Sequence, residues 1–168
     1  HLHQVKSALE DVSDRILNIR VGGNDLSHAF GLRRRVSNTI YDVKPVADLL
    51  ADIVTTFATR YVVSGPVWEY YNGPGWDTGL RRELELDLMS GFVGKTVIHP
   101  NQIPVVNEML QVSPEDYADA QAILGWDGTD GHLVGASAAS TRMNEYNTHF
   151  RWAERVAQLA RYYGVRPR

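Results

Sequence analysis

The sequence predicts an α/β fold built on parallel strands, and three observations carry that reading. Helical stripes alternate with short β-branched runs in the order α–β–α–β–α–β–α. The runs are apolar throughout, as in strands covered on both faces, and do not alternate in polarity. Polar residues stand at the C-terminal ends of all three runs, where parallel sheets and barrels place their sites. These are Asn24 and Asp25, then Ser64 and Glu69, then His99 and Gln102. Three strands are few for an open sheet of this kind and fit part of a barrel better than a whole domain. The C-terminal stretch drops the alternation and reads as an appendage, which divides the chain into 1–112 and 113–168.

Each element has its own signal. Residues 2–12 place Leu2, Val5, Leu9 and Val12 on one helical stripe. ILNIRVGG (16–23) is an apolar run closed by two glycines and reads as a buried strand. Residues 24–44, with the basic run Arg33, Arg34 and Arg35, read as a loop with one helical turn. From Pro45, which suits a first helical turn, Val46, Leu49, Leu50, Ile53, Val54 and Phe57 recur at helical spacing. YVVSG (61–65) is the second strand, and the Pro- and Gly-containing stretch after it is a loop. A helix over 80–92 aligns Leu80, Leu84 and Leu88 and stops at Gly91. VGKTVIHP (93–100) is the third strand, ended by Pro100, and 102–110 is a short helix. In 113–124, Ser113 is the N-cap, Pro114 takes the first position, and acids fill the first turn. Residues 131–143 read as one or two extended segments. Residues 152–165 form a last helix with Trp152, Val156, Leu159, Ala160 and Tyr163 inward.

Composition narrows the function classes. The 168 residues are 43% hydrophobic and 22% charged, ordinary values for a soluble globular chain with one core. A net charge of −3 points to neither a nucleic-acid nor an acidic-membrane partner. The absence of cysteine removes disulfides, thiolate metal sites and a cysteine nucleophile together. No apolar run approaches the ~20 residues of a membrane span. No signal peptide is visible, so the cytoplasm is the expected compartment. The histidines His1, His3, His28, His132 and His149 show no zinc-ligand spacing. The glycine fingerprints for dinucleotides and phosphates and the Gly-x-Ser-x-Gly elbow are also missing.

Several residues could carry chemistry, each with a bland reading beside the sharp one. Asp25, in GGND, either caps the following segment or presents a strand-end carboxylate to Mg²⁺, a hard cation that wants oxygen ligands. His99 is either a ring hydrogen-bonded at a barrel mouth, a general base or a substrate-binding group. Glu69, among Trp68, Tyr70 and Tyr71, either packs a loop or joins the polar mouth. Arg34, central in its basic run, is either solvated or holds a phosphate or carboxylate through paired N–H donors. Asn144, Glu145, Asn147 and His149 stand ahead of the last helix, as caps or as site residues.

Together these segments resemble the citrate lyase beta subunit family, the HpcH/HpaI aldolase-like (β/α)₈ barrels. IRVGGNDLSHAFGLRR (19–34) is similar to the family's strand-end G-x-[ED]-D-[LF] segment. GFVGKTVIHPNQIPVVNEML (91–110) resembles GF-x-GK-x-x-IHP-x-Q-[IV], the most specific of the three. RMNEYNTHFRWAERVAQLA (142–160) resembles the C-terminal G-x-M-[IV]-D-x-P-H segment. SGPVWEYY and MNE mark a divergent branch. The resemblance implies the C-terminal part of a TIM (β/α)₈ barrel with a helical C-terminal appendage. It implies a Mg²⁺-dependent carbon–carbon lyase or aldolase acting next to a carbonyl through a stabilised enolate, on a 2-oxoacid or acyl-CoA substrate.

The resemblance also assigns roles. Asp25 falls on the family's metal ligand. Asn24 replaces a neighbouring acid and, with Arg34, Glu69, His99 and Gln102, is expected to bind substrate. Glu145 falls on the acid/base Asp that family members lend to a neighbouring subunit, and Asn147-Thr148-His149 replaces Pro-His. The family's second metal ligand, a Glu, and its substrate Arg belong to earlier strands. A whole barrel needs about 250 residues, so a missing N-terminal half of the barrel is expected as a partner. Without it, residues 16–22 would be a raw parallel edge prone to aggregation. A homo-oligomer, trimer or hexamer, is implied too. An acyl-CoA thioesterase on the same scaffold and a catalytically silent metabolite-binding relative are the alternatives.

Overall fold

The computed structural model describes residues 1–127 and 133–167, so His132 lies outside the described residues. The chain divides into two compact units, His1–Met109 and Leu110 onward.

The first unit runs α1 (Leu2–Glu10), a 3₁₀ turn, β1 (Ile19–Arg20), α2 (Gly23–Ala29), a second 3₁₀ turn (Ile40–Asp42), α3 (Lys44–Phe57), β2 (Val63–Ser64), α4 (Trp76–Ser90) and α5 (Gln102–Met109). β1 and β2 pair in parallel, with Ile19 opposite Val63 and Arg20 opposite Ser64. The expected third strand is much shorter than 93–100. Val93 N–H donates to Val63 O (2.8 Å), Gly65 N–H to Gly94 O (3.1 Å) and Thr96 N–H to Gly65 O (3.2 Å). Gly65 and Lys95 form a parallel bridge. Pairing ends after Thr96, where Ile98 N–H turns to Gln102 Oε1 and the chain bends toward α5. The ladder is therefore parallel and sequential, as in a barrel where each strand pairs with the next. The other edge of β1 pairs with nothing among the described residues, and Leu17 beside it is 90% exposed.

The core lies between this ladder and the helices. Val21, Ile40, Val46, Leu50, Phe57, Tyr61, Val63 and Phe92 form one buried cluster, centred on the apolar face of α3. Leu2 and Leu9 of α1 pack against it, while Val5 on α1 and Val12 just beyond it stay exposed, so only half of that stripe is used. α4 begins at Trp76, ahead of the expected Leu80, and ends where Gly91 adopts the left-handed conformation at φ +99°. Residues 24–44, read as a loop with one turn, hold α2 and a 3₁₀ turn closed by a Thr39–Asp42 capping box.

A buried ion cluster ties these parts together. Glu83 and Asp87 lie one turn apart on α4 and are buried with Leu80 and Leu84. Lys95 Nζ donates to Glu83 Oε1 and Asp87 Oδ2, both at 2.7 Å. Arg34 Nε stands 3.4 Å from Glu83 Oε2. Ile40 N–H donates to Glu83 (2.7 Å) and the Tyr41 hydroxyl to Asp87 (2.6 Å). Two cations face two anions, so no net charge is buried. Burial pushes the Asp87 carboxyl above its ordinary value, although Lys95 and Tyr41 pull it down. Gly65 is required beside this cluster, because a Cβ there would lie 2.5 Å from Asp87 Oδ2.

The second unit holds α6 (Pro114–Leu124), an antiparallel hairpin of β3 (Val134–Ala136) and β4 (Met143–Glu145), and α7 (Tyr146–Tyr163). Ala120, Ile123, Ala153 and Val156 join α6 to α7 with Val112. Ser113 caps α6 as expected, its Oγ accepting from Asp116 N–H at 3.0 Å. α7 starts six residues ahead of the expected Trp152, since its first turns are polar and carry no apolar stripe to read. Arg142 holds Asp119 (2.6 Å) and Asp116 (2.7 Å) with its guanidinium over Trp152. Among the described residues no helix is long and apolar enough to cross a membrane.

Lys95→Met should lower stability by about 3–5 kcal/mol, because it leaves the buried Asp87 carboxylate without a cation and the cluster with an uncompensated negative charge. The exposed Lys44–Asp48 pair is the control, and Lys44→Met should cost less than about 1 kcal/mol. Urea titration reads both. A pH effect is expected from Asp119. Burial would raise its carboxyl, but hydrogen bonds from Arg142, Asn144 and the Ala138 backbone outweigh this and hold it low. Its stabilisation is therefore present above the unfolded value of ~4 and lost as pH falls below it. Melting curves from pH 5 to 2 should show this loss, and Asp119→Asn should weaken it.

Candidate functional site at the strand ends

Gly22 and Gly23 carry the chain from β1 directly into α2, which places Asn24 and Asp25 in the first turn of that helix. Asp25 folds its carboxylate back over Gly22, where any Cβ would collide with Oδ2. The carboxylate is exposed and makes no hydrogen bond or ion pair with the described residues. This is the donor chemistry a hard cation takes: a free carboxylate oxygen at the C-terminal end of a parallel strand. It is one ligand. Among the described residues no group of three or more His, Cys, Asp or Glu side chains is close enough to hold a metal. Asp25 therefore fits a Mg²⁺ site as a contributor, with the remaining oxygens coming from substrate, water or residues outside this chain.

Two more of the expected residues come together beside it. Asn24 and Glu69 line a cleft of about 430 Å³ with Ser27, His28, Leu32 and Arg33. Arg33 Nε donates to Glu69 Oε2 at 2.9 Å, and the arginine side chain remains 80% exposed. Glu69 thus fixes a cation at the cleft rim, and its carboxylate raises the Arg33 pKa further.

Arg34, expected at the rim, is instead an interior residue. It is buried, donates to Val67 O, pairs with Glu83, and lies 5.3 Å over the Trp68 ring. The cause is the acid at Glu83, which draws one arginine of the run inward and leaves Arg33 outside. Gln102 is also turned inward. Its Nε2 donates to Trp68 O and Tyr70 O, both at 2.9 Å, and its Oε1 accepts from Ile98 N–H at 2.9 Å. It positions the aromatic loop and has no donor left for a substrate. His99 is half-buried and stacked on Tyr71 at 4.2 Å, and its Nδ1 accepts from Asn101 N–H at 3.2 Å. Asn101 in turn donates to Tyr71 O (3.2 Å), so the strand end and the loop form one aromatic platform.

Glu145 ends β4 in the second unit, immediately before α7. Its backbone N–H donates to His149 Nδ1 (2.9 Å), and Thr148 Oγ1 donates to its carboxylate (3.0 Å). Asn147, Thr148 and His149 therefore lie inside the helix and not ahead of it. The ion cluster is not among the expected site residues, but the sequence carries a signal of it. Glu83 and Asp87 interleave with Leu80 and Leu84 at core spacing on α4, and Lys95 is the one charge in an otherwise apolar run.

The parallel ladder and the covering helices define a segment of a TIM barrel, with polar residues at the C-terminal ends of its strands. Residues 1–165 match the family described as C-C_Bond_Lyase of the TIM-Barrel fold, and the chain belongs to that family. It is 29% identical over 136 residues to a (3S)-malyl-CoA thioesterase of Cereibacter sphaeroides, covering 80% of this chain and 45% of the relative. Over 46 residues it is 46% identical to the human mitochondrial citramalyl-CoA lyase, covering 27% of this chain and 14% of that protein. The crystal structure of CitE from Mycobacterium tuberculosis, in complex with magnesium, acetoacetate and coenzyme A, superposes with a TM-score of 0.62 at 22% identity. That match covers 86% of this chain and 52% of CitE. The expected fold, a C-terminal part of the barrel with a helical C-terminus, is thus the observed one. The chain spans about half the length of the relatives it matches most broadly.

Gln102→Ala should destabilise the protein by about 1–3 kcal/mol, since three buried backbone groups lose their partner. Hydrogen exchange should show Ile98 N–H losing protection in that variant.

Proposed function

We propose that the protein of which this chain is part is a Mg²⁺-dependent carbon–carbon bond lyase or aldolase. It would make or break the bond next to a carbonyl in a 2-oxoacid or acyl-CoA substrate. The observation that carries this reading is the unpaired Asp25 carboxylate, exposed at the end of β1 over a glycine that makes room for it. Asp25 would hold the Mg²⁺, which supplies Lewis-acid stabilisation of negative charge developing on the substrate carbonyl oxygen. Asn24 contributes a neutral hydrogen-bonding amide beside it. Arg33, held by Glu69, offers positive charge at the rim to an anionic substrate group. The Tyr71–His99 platform offers a flat face at the neighbouring strand end. Glu145 is the proposed acid/base group, acting as its counterparts do from the C-terminal segment of an adjoining subunit in a trimer or hexamer. The cytoplasm is the proposed compartment.

Thioester hydrolysis is the second reading, favoured by the 29% identity to the malyl-CoA thioesterase. It needs the same polarised carbonyl with water as the attacking group. Product analysis separates the two: an oxoacid plus an acyl thioester for the lyase, a hydroxy acid plus free CoA for the hydrolase. In the whole protein, Asp25→Ala should cut metal-dependent turnover by more than about 100-fold with the melting temperature unchanged. Retained turnover removes Asp25 from the metal. Failure of the wild-type protein to bind Mg²⁺, even with an oxoacid present, leaves a silent metabolite-binding relative.

A further inference from the structure

The two faces of the parallel ladder differ. On the helix side, Ile19 and Val21 of the β1 strand and exit pack with Val63 into the apolar core. On the opposite face stand Asn18, Arg20, Ser64 and Thr96. Asn18 Nδ2 donates to Ser64 Oγ at 3.1 Å, and Arg20 Nε donates to Thr96 Oγ1 at 3.3 Å. That face is the inside of the barrel, where layers of branched apolar side chains are the rule. A polar strip crossing three strands and carrying an arginine departs from it.

Arg20 is the last residue of β1 and is exposed. Arg33, Arg34, Arg81 and Arg142 each face a carboxylate, but Arg20 has no ion-pair partner among the described residues. A guanidinium stays charged at any working pH, so a barrel interior tolerates it only against an anion. Thr96 occupies Nε and thereby orients the group. The two Nη atoms remain side by side, a fork whose spacing matches the two oxygens of a planar carboxylate.

We propose that Arg20, oriented by Thr96, binds a carboxylate of the substrate on the inner face of the ladder. It would thereby select substrates that carry a carboxylate away from the reacting carbonyl. The proposal deepens the lyase reading and rests on it for the reaction. The binding site itself can be tested without turnover.

The test uses the whole protein, with succinate as probe, at low salt, with a chelator present and no divalent cation. Calorimetry should show succinate binding by wild type, a loss of more than about tenfold in Arg20→Met, and partial retention in Arg20→Lys. Thr96→Val should weaken binding by a smaller factor, and Lys44→Met, at an exposed pair on α3, should leave it unchanged. In active enzyme, Arg20→Met should raise KM for a dicarboxylate substrate by more than about tenfold with kcat nearly constant. The proposal is overturned if wild type binds no succinate, or if Arg20→Met binds it as wild type does. It is also overturned if Arg20-dependent binding appears for inorganic phosphate and not for succinate. A fall in melting temperature with succinate binding intact would make Arg20 half of an internal ion pair, which equally overturns it. Arg20-dependent succinate binding in a protein without lyase activity would instead sink the reaction and keep the site.

Discussion

The first unit depends on one constraint: four charged side chains buried in contact must find each other or remain unpaired. Glu83 and Asp87 come from α4, Lys95 from the third strand, and Arg34 from the segment after α2. Removing any of them from water costs several kcal/mol, which only close pairing offsets. The cluster therefore accepts one arrangement of its elements. An apolar core could be filled by several registers of α4 against the ladder, but two carboxylates that must both reach Lys95 Nζ at 2.7 Å select one.

That selection reaches the strand ends. Lys95 is bridged to Gly65, and Gly65 has no side chain because Asp87 occupies the space. β2 and the third strand are thus held together through α4 as well as by their backbone bonds. Glu83 also accepts from Ile40 N–H, which anchors the segment between α2 and α3. Arg34 hangs from the same acid, so Arg33 is left at the rim to meet Glu69. Buried residues in this way decide which arginine of a basic run stays at the surface.

The periodic parts of the fold were legible because periodicity reports apolar burial. α3, α5 and α6 fall within a residue or two of where their stripes and caps put them. What the pattern cannot report is a polar residue buried against a partner far away in sequence. Tyr41 and Asp87 are 46 positions apart, and neither carries a mark of the other. Arg34 was read at the rim for the same reason, since a run of three arginines looks solvated until an acid is placed behind one of them. VGKTVIHP is β-rich by composition and predicts a strand over 93–100, whereas the Ile98–Gln102 turn ends its pairing after Thr96. Asn24, Asp25 and Glu69 were legible because strand-end position follows from topology. The interior position of Gln102 was not, because an amide on a strand-end motif looks the same whether it faces substrate or backbone.

Charge placement then separates structure from chemistry along β1. Behind the ladder every buried charge is matched, as stability demands. At the exit of β1, Arg20 on the inner face and Asp25 in the turn just beyond it have no ion-pair partner among the described residues. Neither contributes to the buried core of the first unit. A cation held by Thr96 and an anion folded over Gly22, a few residues apart in sequence, are suited to a ligand with complementary charges. An anionic oxoacid chelating a divalent cation has that form: its metal requires the carboxylate, and a further carboxylate requires the guanidinium. The proposed metal carboxylate and the proposed substrate-binding guanidinium thus belong to one strand exit.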